Sequence, residues 1–203
     1  KIQLKNLEIM KNLKNIFFSL LAIFIISCDN DNDPNNNVCD TNYLSVASST
    51  VFTNANGYTL YETMDLETHE YTMTINASGE ICSIGYQNPT TYTGTYVMEV
   101  ENTTTSTSTS DTFSFSQANI QYQSFTNPLI VNAGDIIVVR RTISSGYTQL
   151  NETIGSIYTN TNPNPFPIAV NANATITSSN FYGAGGPVPN FGVPLIGVGF
   201  KIN

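Results

Sequence analysis

From about residue 43 onward, apolar and polar side chains alternate in short runs, and none of these runs keeps the period of a helix. In Gly94 to Glu101, Tyr96, Met98 and Val100 share one face, while Glu99 and Glu101 take the other. Tyr71, Met73 and Ile75 separate from Thr72 and Thr74 in the same way, and Ile81 to Gln87 groups Cys82, Ile84 and Tyr86. Because successive side chains of a strand point to opposite faces, this pattern predicts antiparallel sheets with one wet face. Turn signals at Ser78-Gly79 and at Asn132 to Asp135 separate the runs, and the strongest strand is Ile136 to Ile143. The Thr/Ser run Thr103 to Ser110 reads as a mobile surface loop. Asn160 to Pro167 is too rich in Pro and Asn for a central strand. Ala174 to Thr177 and Leu195 to Ile202 read as the last strands, with Gly183 to Pro189 as a loop between them.

Short strands recurring every ~8–12 residues predict an all-β fold: a single antiparallel β-sandwich, jelly-roll-like, over residues 43–203. Composition supports a sandwich displayed outside the cytosol. Charged residues are 11% of the chain against the ~25% of ordinary soluble proteins, and Asn, Thr and Ser replace them. The net charge of -8 is unevenly spread. Lys1, Lys5, Lys11 and Lys14 all precede residue 28, which leaves Arg140, Arg141 and Lys201 as the only cations beyond it. So acidic a surface repels phosphate backbones and argues against nucleic acid as a partner.

The first 27 residues carry an address. Met10 to Asn15 is a short basic segment, and Ile16 to Ile26 is almost wholly apolar. At roughly a dozen residues the apolar run is too short to cross a bilayer, which needs ~20. It reads as the core of a signal peptide over residues 1–27, with Met10 as the start. Ile25-Ile26-Ser27-Cys28 resembles the bacterial lipobox, which implies cleavage before Cys28 and lipidation of that cysteine. The acidic Asp29-Asn30-Asp31-Asn32-Asp33 that follows resembles the tract behind the lipidated cysteine of Bacteroidota surface lipoproteins. Residues 28–42 are then a flexible tether, and the protein is expected on the bacterial outer membrane, lipid-anchored and facing outward. Asp29, Asp31, Asp33, Asn37 and Asp40 also have the spacing of a calcium loop. Pro34 occupies the position where such a loop turns on Gly, which favours the tether.

With Cys28 assigned to lipid, Cys39 and Cys82 remain, in a chain bound for an oxidising compartment. A disulfide between them would close a loop of about 44 residues, worth ~4 kcal/mol on the chain-entropy model. The alternative leaves Cys39 free in the tether and Cys82 free in the domain. Two thiols and one histidine cannot complete a zinc site, so no metal and no cofactor are expected.

The stretch Ile81 to Ile143, with its Thr-Gly-Thr-Tyr strand, Phe-Ser-Phe strand and Pro-Leu-Ile-Val-Asn-Ala-Gly-Asp corner, resembles uncharacterised jelly-roll domains of bacterial surface proteins and glycan-active enzymes. The resemblance covers about a third of the chain and implies fold more than activity.

No cluster of residues in the sequence forms a catalytic constellation. His69, the only histidine, lies among Asp65, Glu67 and Glu70 and reads as a solvated surface side chain. Without a second His or a Lys base, Ser or Cys catalysis lacks its proton acceptor. Glu99 and Glu101 would stand ~6.5–7 Å apart on one strand face, a glycosidase-like spacing that a soluble strand face produces equally well. Arg141 shares parity with Ile137, Val139 and Ile143, so it is expected to point inward, either in an ion pair or reaching for an acidic or hydroxyl-rich ligand. Tyr147, Tyr158, Phe166, Phe181, Tyr182 and Phe191 lie in or beside expected loops, where exposed rings stack on sugars. These features point to a non-catalytic, lipid-anchored binding module, with glycan as the ligand class. The alternative is a structural or adhesive surface subunit, fimbrillin-like or binding a surface protein. Fimbrillin-like pilins resemble the chain in address and build, but they mature by cleavage after an Arg, and no Lys or Arg occurs between Cys28 and Arg140.

Overall fold

Thirteen strands, all paired antiparallel, make up the described part of the chain. The computed structural model describes residues 39, 47–64, 66–89, 92–144, 153–183 and 186–203. The expected signal peptide, Cys28, the acidic tract and the calcium-loop positions lie outside the described residues.

After a helical turn at 47–50 and a 3-10 turn at Asn54–Asn56 come β1 (Tyr58–Met64), β2 (Leu66–Ile75), β3 (Gly79–Tyr86), β4 (Tyr96–Asn102) and β5 (Thr107–Phe113). They are followed by β6 (Gln121–Val131), β7 (Ile136–Ile143), β8 (Thr153–Asn160), β9 (Ile168–Asn171) and β10 (Ala174–Gly183). The short β11 (Val188–Pro189), β12 (Val193–Pro194) and β13 (Gly197–Ile202) complete the set. The large sheet runs β11-β10-β2-β7-β4-β5, with β9 also paired to β10. Two three-stranded sheets, β13-β3-β6 and β1-β8-β12, accompany it in a sandwich. The chain changes sheet between β2 and β3, between β3 and β4, and on both sides of β6.

The alternation read from the sequence accounts for the core. β4 alternates buried and half-buried residues along its whole length, with Tyr96, Met98 and Val100 fully enclosed. Tyr71 and Met73 of β2 and Ile137 and Val139 of β7 share that core with Ile81, Ile84 and Tyr86 of β3. Each large apolar side chain so enclosed contributes about 2 kcal/mol relative to exposure. At the β6–β7 corner, Gly134 takes φ 96, a conformation open to glycine, and Asp135 Oδ2 accepts from Asn132 N at 2.8 Å and Asn102 Nδ2 at 2.7 Å.

Two expectations are corrected. The Thr/Ser run is not a loop: only its first residues turn, and Thr107–Phe113 pairs with β4 along seven positions. Thr is β-branched and fits a pleated edge, and the hairpin partner supplies the ladder that composition alone hides. Nor does Cys82 share a face with Ile84 and Tyr86. The β3–β6 register shifts between Ile81 and Ser83, so Ile81 joins the core while Cys82, half-buried, is aimed elsewhere. That aim meets Cys39, and the two are joined in a disulfide with Cα atoms 6.0 Å apart.

Candidate functional site

One residue step along β2, β7 and β4 separates two polar clusters on opposite faces of the large sheet. The register aligns Asn180, Glu70, Arg140 and Glu99 in one row, and Phe181, His69, Arg141 and Met98 in the next. Directly paired residues share a face and adjacent rows alternate, so the first row points outward and the second inward.

The outward row is an ion network centred on Arg140. Its Nε lies 2.7 Å from Glu70 Oε2, its Nη1 2.6 Å from Glu99 Oε2 and its Nη2 3.5 Å from Glu101 Oε2. Burial works against the Arg140 charge, but the hydrogen bonds to Glu70 and Glu99 outweigh it and hold its pKa above the ordinary arginine value. Glu70 Oε1 in turn accepts from Tyr182 Oη at 2.8 Å and from Asn180 Nδ2 at 3.4 Å. The hydrogen bond to Glu70, followed by partial burial, raises the Tyr182 phenol pKa. Tyr182 is nevertheless 37% exposed, so a tethered ring stands at the open edge of a charged face.

The inward row is buried. Arg141 and His69 are both fully enclosed. The guanidinium carbon of Arg141 sits 5.1 Å from the ring centroid of Tyr96 and 5.8 Å from that of Tyr86, and Nη1 donates to the Glu67 carbonyl at 3.4 Å. His69 meets the ring of Phe181 edge-on at 4.8 Å. Burial first, and the Arg141 charge second, push the imidazole pKa well below 6.5, so the ring is neutral. Burial likewise raises the phenols of Tyr86 and Tyr96. Among the described residues, the charged member of the cluster is Arg141.

Several sequence expectations change here. The inward direction of Arg141 holds, but no carboxylate among the described residues lies within ion-pairing distance of it; the ion pairs belong to its neighbour Arg140. His69 is not a solvated side chain. It continues the inward parity of Tyr71, Met73 and Ile75 by one further position, a signal masked by its polar neighbours Glu67 and Glu70. Tyr158 is no loop ring: it lies in β8, stacks on Phe52 at 4.8 Å and bonds Ser48 Oγ at 3.0 Å. Phe181 is fully buried in β10, because that strand runs six residues past its expected end at Thr177. Phe166 packs half-buried against the core, ahead of the cis Phe166-Pro167 bond. Tyr147 lies outside the described residues. Of the expected rings, Tyr182 and Phe191 remain open, and Phe191, 47% exposed, meets Phe181 edge-on at 6.1 Å.

Among the described residues, no three His, Cys, Asp or Glu side chains gather as a metal site, and no helix is long and apolar enough to cross a membrane. The chain matches no protein-family model and no curated protein. Fold and geometry define it at the level of class: an all-β antiparallel sandwich with a charge-paired, aromatic-edged outer face and a cationic cluster beneath it.

Proposed function

We propose that the protein is a non-catalytic, glycan-binding module, lipid-anchored through Cys28 on the outer face of a bacterial outer membrane. The observation that carries the binding reading is Tyr182. Its hydroxyl is fixed by Glu70 while its ring stays open, beside Asn180 and the Arg140 network. A ring held in one orientation stacks on a sugar at little entropic cost, and the surrounding carboxylates, amide and guanidinium offer donors and acceptors to hydroxyls. The address rests on the lipobox-like Ile25 to Cys28 and the acidic tract. Glu99 and Glu101, the pair at glycosidase-like spacing, both contact Arg140, an arrangement suited to holding a face rather than to cycling a proton. A screen of the folded unit, residues 38–203, against immobilised polysaccharides tests the reading: retention on at least one is expected, and retention on none contradicts it.

One observation favours an adhesive or structural subunit instead. Among the described residues, β1 pairs only with β8, and Leu60 and Tyr61 are about half exposed along it. Such an edge is a template for a further strand. Concentration-dependent polymers without glycan retention would move the assignment there.

A further inference from the structure

The inward cluster is a second, separate site, and we propose that Arg141 binds a carboxylate there, gripping its two oxygens through Nε and Nη2. A buried cation without a counter-charge costs several kcal/mol, on the order of what a whole domain has to spare. Arg141 is fully enclosed, and its partners among the described residues are neutral: Nη1 donates to the Glu67 carbonyl at 3.4 Å, and the Tyr86 hydroxyl is a further hydrogen-bond partner of the guanidinium. The rings of Tyr86 and Tyr96 offer their faces, which offset part of the cost and carry no charge. Nε and Nη2 have no hydrogen-bond partner among the described residues. These two N–H groups point from the same edge of the guanidinium, the edge that takes a carboxylate in two parallel bonds.

The surroundings fit the same ligand. Both ring nitrogens of His69 also lack partners among the described residues, and a neutral imidazole brings one further N–H donor. Gly155 of β8 faces the cluster. A Cβ there would stand 2.6 Å from Arg141 Nη2, 2.7 Å from His69 Cε1 and 2.9 Å from Tyr86 Oη, so the bare glycine backbone lies against the cluster and any side chain there would press on it. The charge selects the class: one buried cation balances one negative charge, whereas a dianion would leave a second charge buried and unpaired. The cluster lies one ring below the surface, since half-exposed Phe191 packs on Phe181 and Phe181 packs on His69. The carboxylate belongs either to a small free acid or to an acidic sugar.

The test exploits the presence of two arginines in the chain. Nitrogen-15 spectra of the full chain contain two Arg Nε–H signals, and Arg140→Lys removes one, which assigns the other to Arg141 without disturbing the inner cluster. Acetate, glucuronate and sulfate are titrated separately at constant ionic strength. The Arg141 signal is expected to move saturably with acetate and to stay still with sulfate, and Gly155→Ala is expected to abolish the movement. A matching response to glucuronate assigns the site to acidic sugars; a response to acetate alone assigns it to small free acids. An Arg141 signal that moves with neither carboxylate, or equally with sulfate, overturns the proposal. The wild-type titration decides even if Gly155→Ala does not fold, and it does so whether or not the Tyr182 face binds glycan.

Discussion

Tyr182 donates its phenolic hydrogen to Glu70 across 2.8 Å, and the same carboxylate accepts from Arg140 at 2.7 Å on its other oxygen. An open aromatic ring is thereby coupled to a charge network spanning β10, β2, β7 and β4. One residue further along β2 and β7, His69 and Arg141 form the neutral-plus-cation pair of the inner face. The large sheet therefore carries its polar chemistry back to back.

The network predicts a cost for removing its centre. Arg140→Met leaves Glu70, which is almost buried, facing Glu99 and Glu101 without a cation. Because Arg140 retains some solvent contact, the expected loss is about 2 kcal/mol rather than the full penalty of a buried broken pair. Urea unfolding of wild type and variant measures it, and an unchanged midpoint would show the network to be ornamental.

His69 predicts an acid-side loss of stability. Its folded pKa lies well below 6.5, so the unfolded chain takes up a proton that the folded chain refuses. The stability it contributes is present above pH 6.5 and declines as pH falls below that value toward the folded pKa. With a single histidine in the chain, its Cε1–H proton signal should show no titration near pH 6.5. In denaturation curves, His69→Gln should flatten the decline of the midpoint between about pH 6.5 and 5.

The Cys39–Cys82 bond ties residue 39 to the register shift in β3 across a sequence separation of 43. Loop-closure entropy gives it ~4 kcal/mol. Cys82→Ser, or reduction with dithiothreitol, should lower the urea midpoint by an amount of that order. Equal midpoints for the oxidised and reduced protein would remove the bond from the stability account.

The lipid anchor is tested in cells. Expressed in a bacterial host with lipoprotein processing, the chain should incorporate labelled palmitate and fractionate with the outer membrane. Cys28→Ala should lose the label completely, and a label retained in that variant would refute the anchor.

The parts of this structure legible in the sequence are those in which a strand's own alternation decides direction. Tyr96, Met98 and Val100 sit inward, and Arg141 follows its parity into the core. Where a partner strand decides, the sequence is mute. The shift that re-aims Cys82 exists only relative to β6, and the pairing that makes a strand of Thr107–Phe113 exists only relative to β4. Ser178, Ser179 and Asn180 have turn-like composition and become strand only by pairing with β2, which extends β10 far enough to bury Phe181. The pairing of Glu70 with Arg140 is not legible in the sequence, because two strands far apart in sequence must meet before either has a partner.

Glycan binding by the Tyr182 face is tested by comparing the wild type with Tyr182→Ala and Tyr61→Ala on one panel of immobilised polysaccharides. Both tyrosines are substantially exposed, but only Tyr182 belongs to the Glu70–Arg140 network. Wild type and Tyr61→Ala are expected to be retained on the same glycan while Tyr182→Ala loses at least tenfold in affinity, about 1.4 kcal/mol. Equal retention of Tyr182→Ala, or loss with Tyr61→Ala instead, would contradict it.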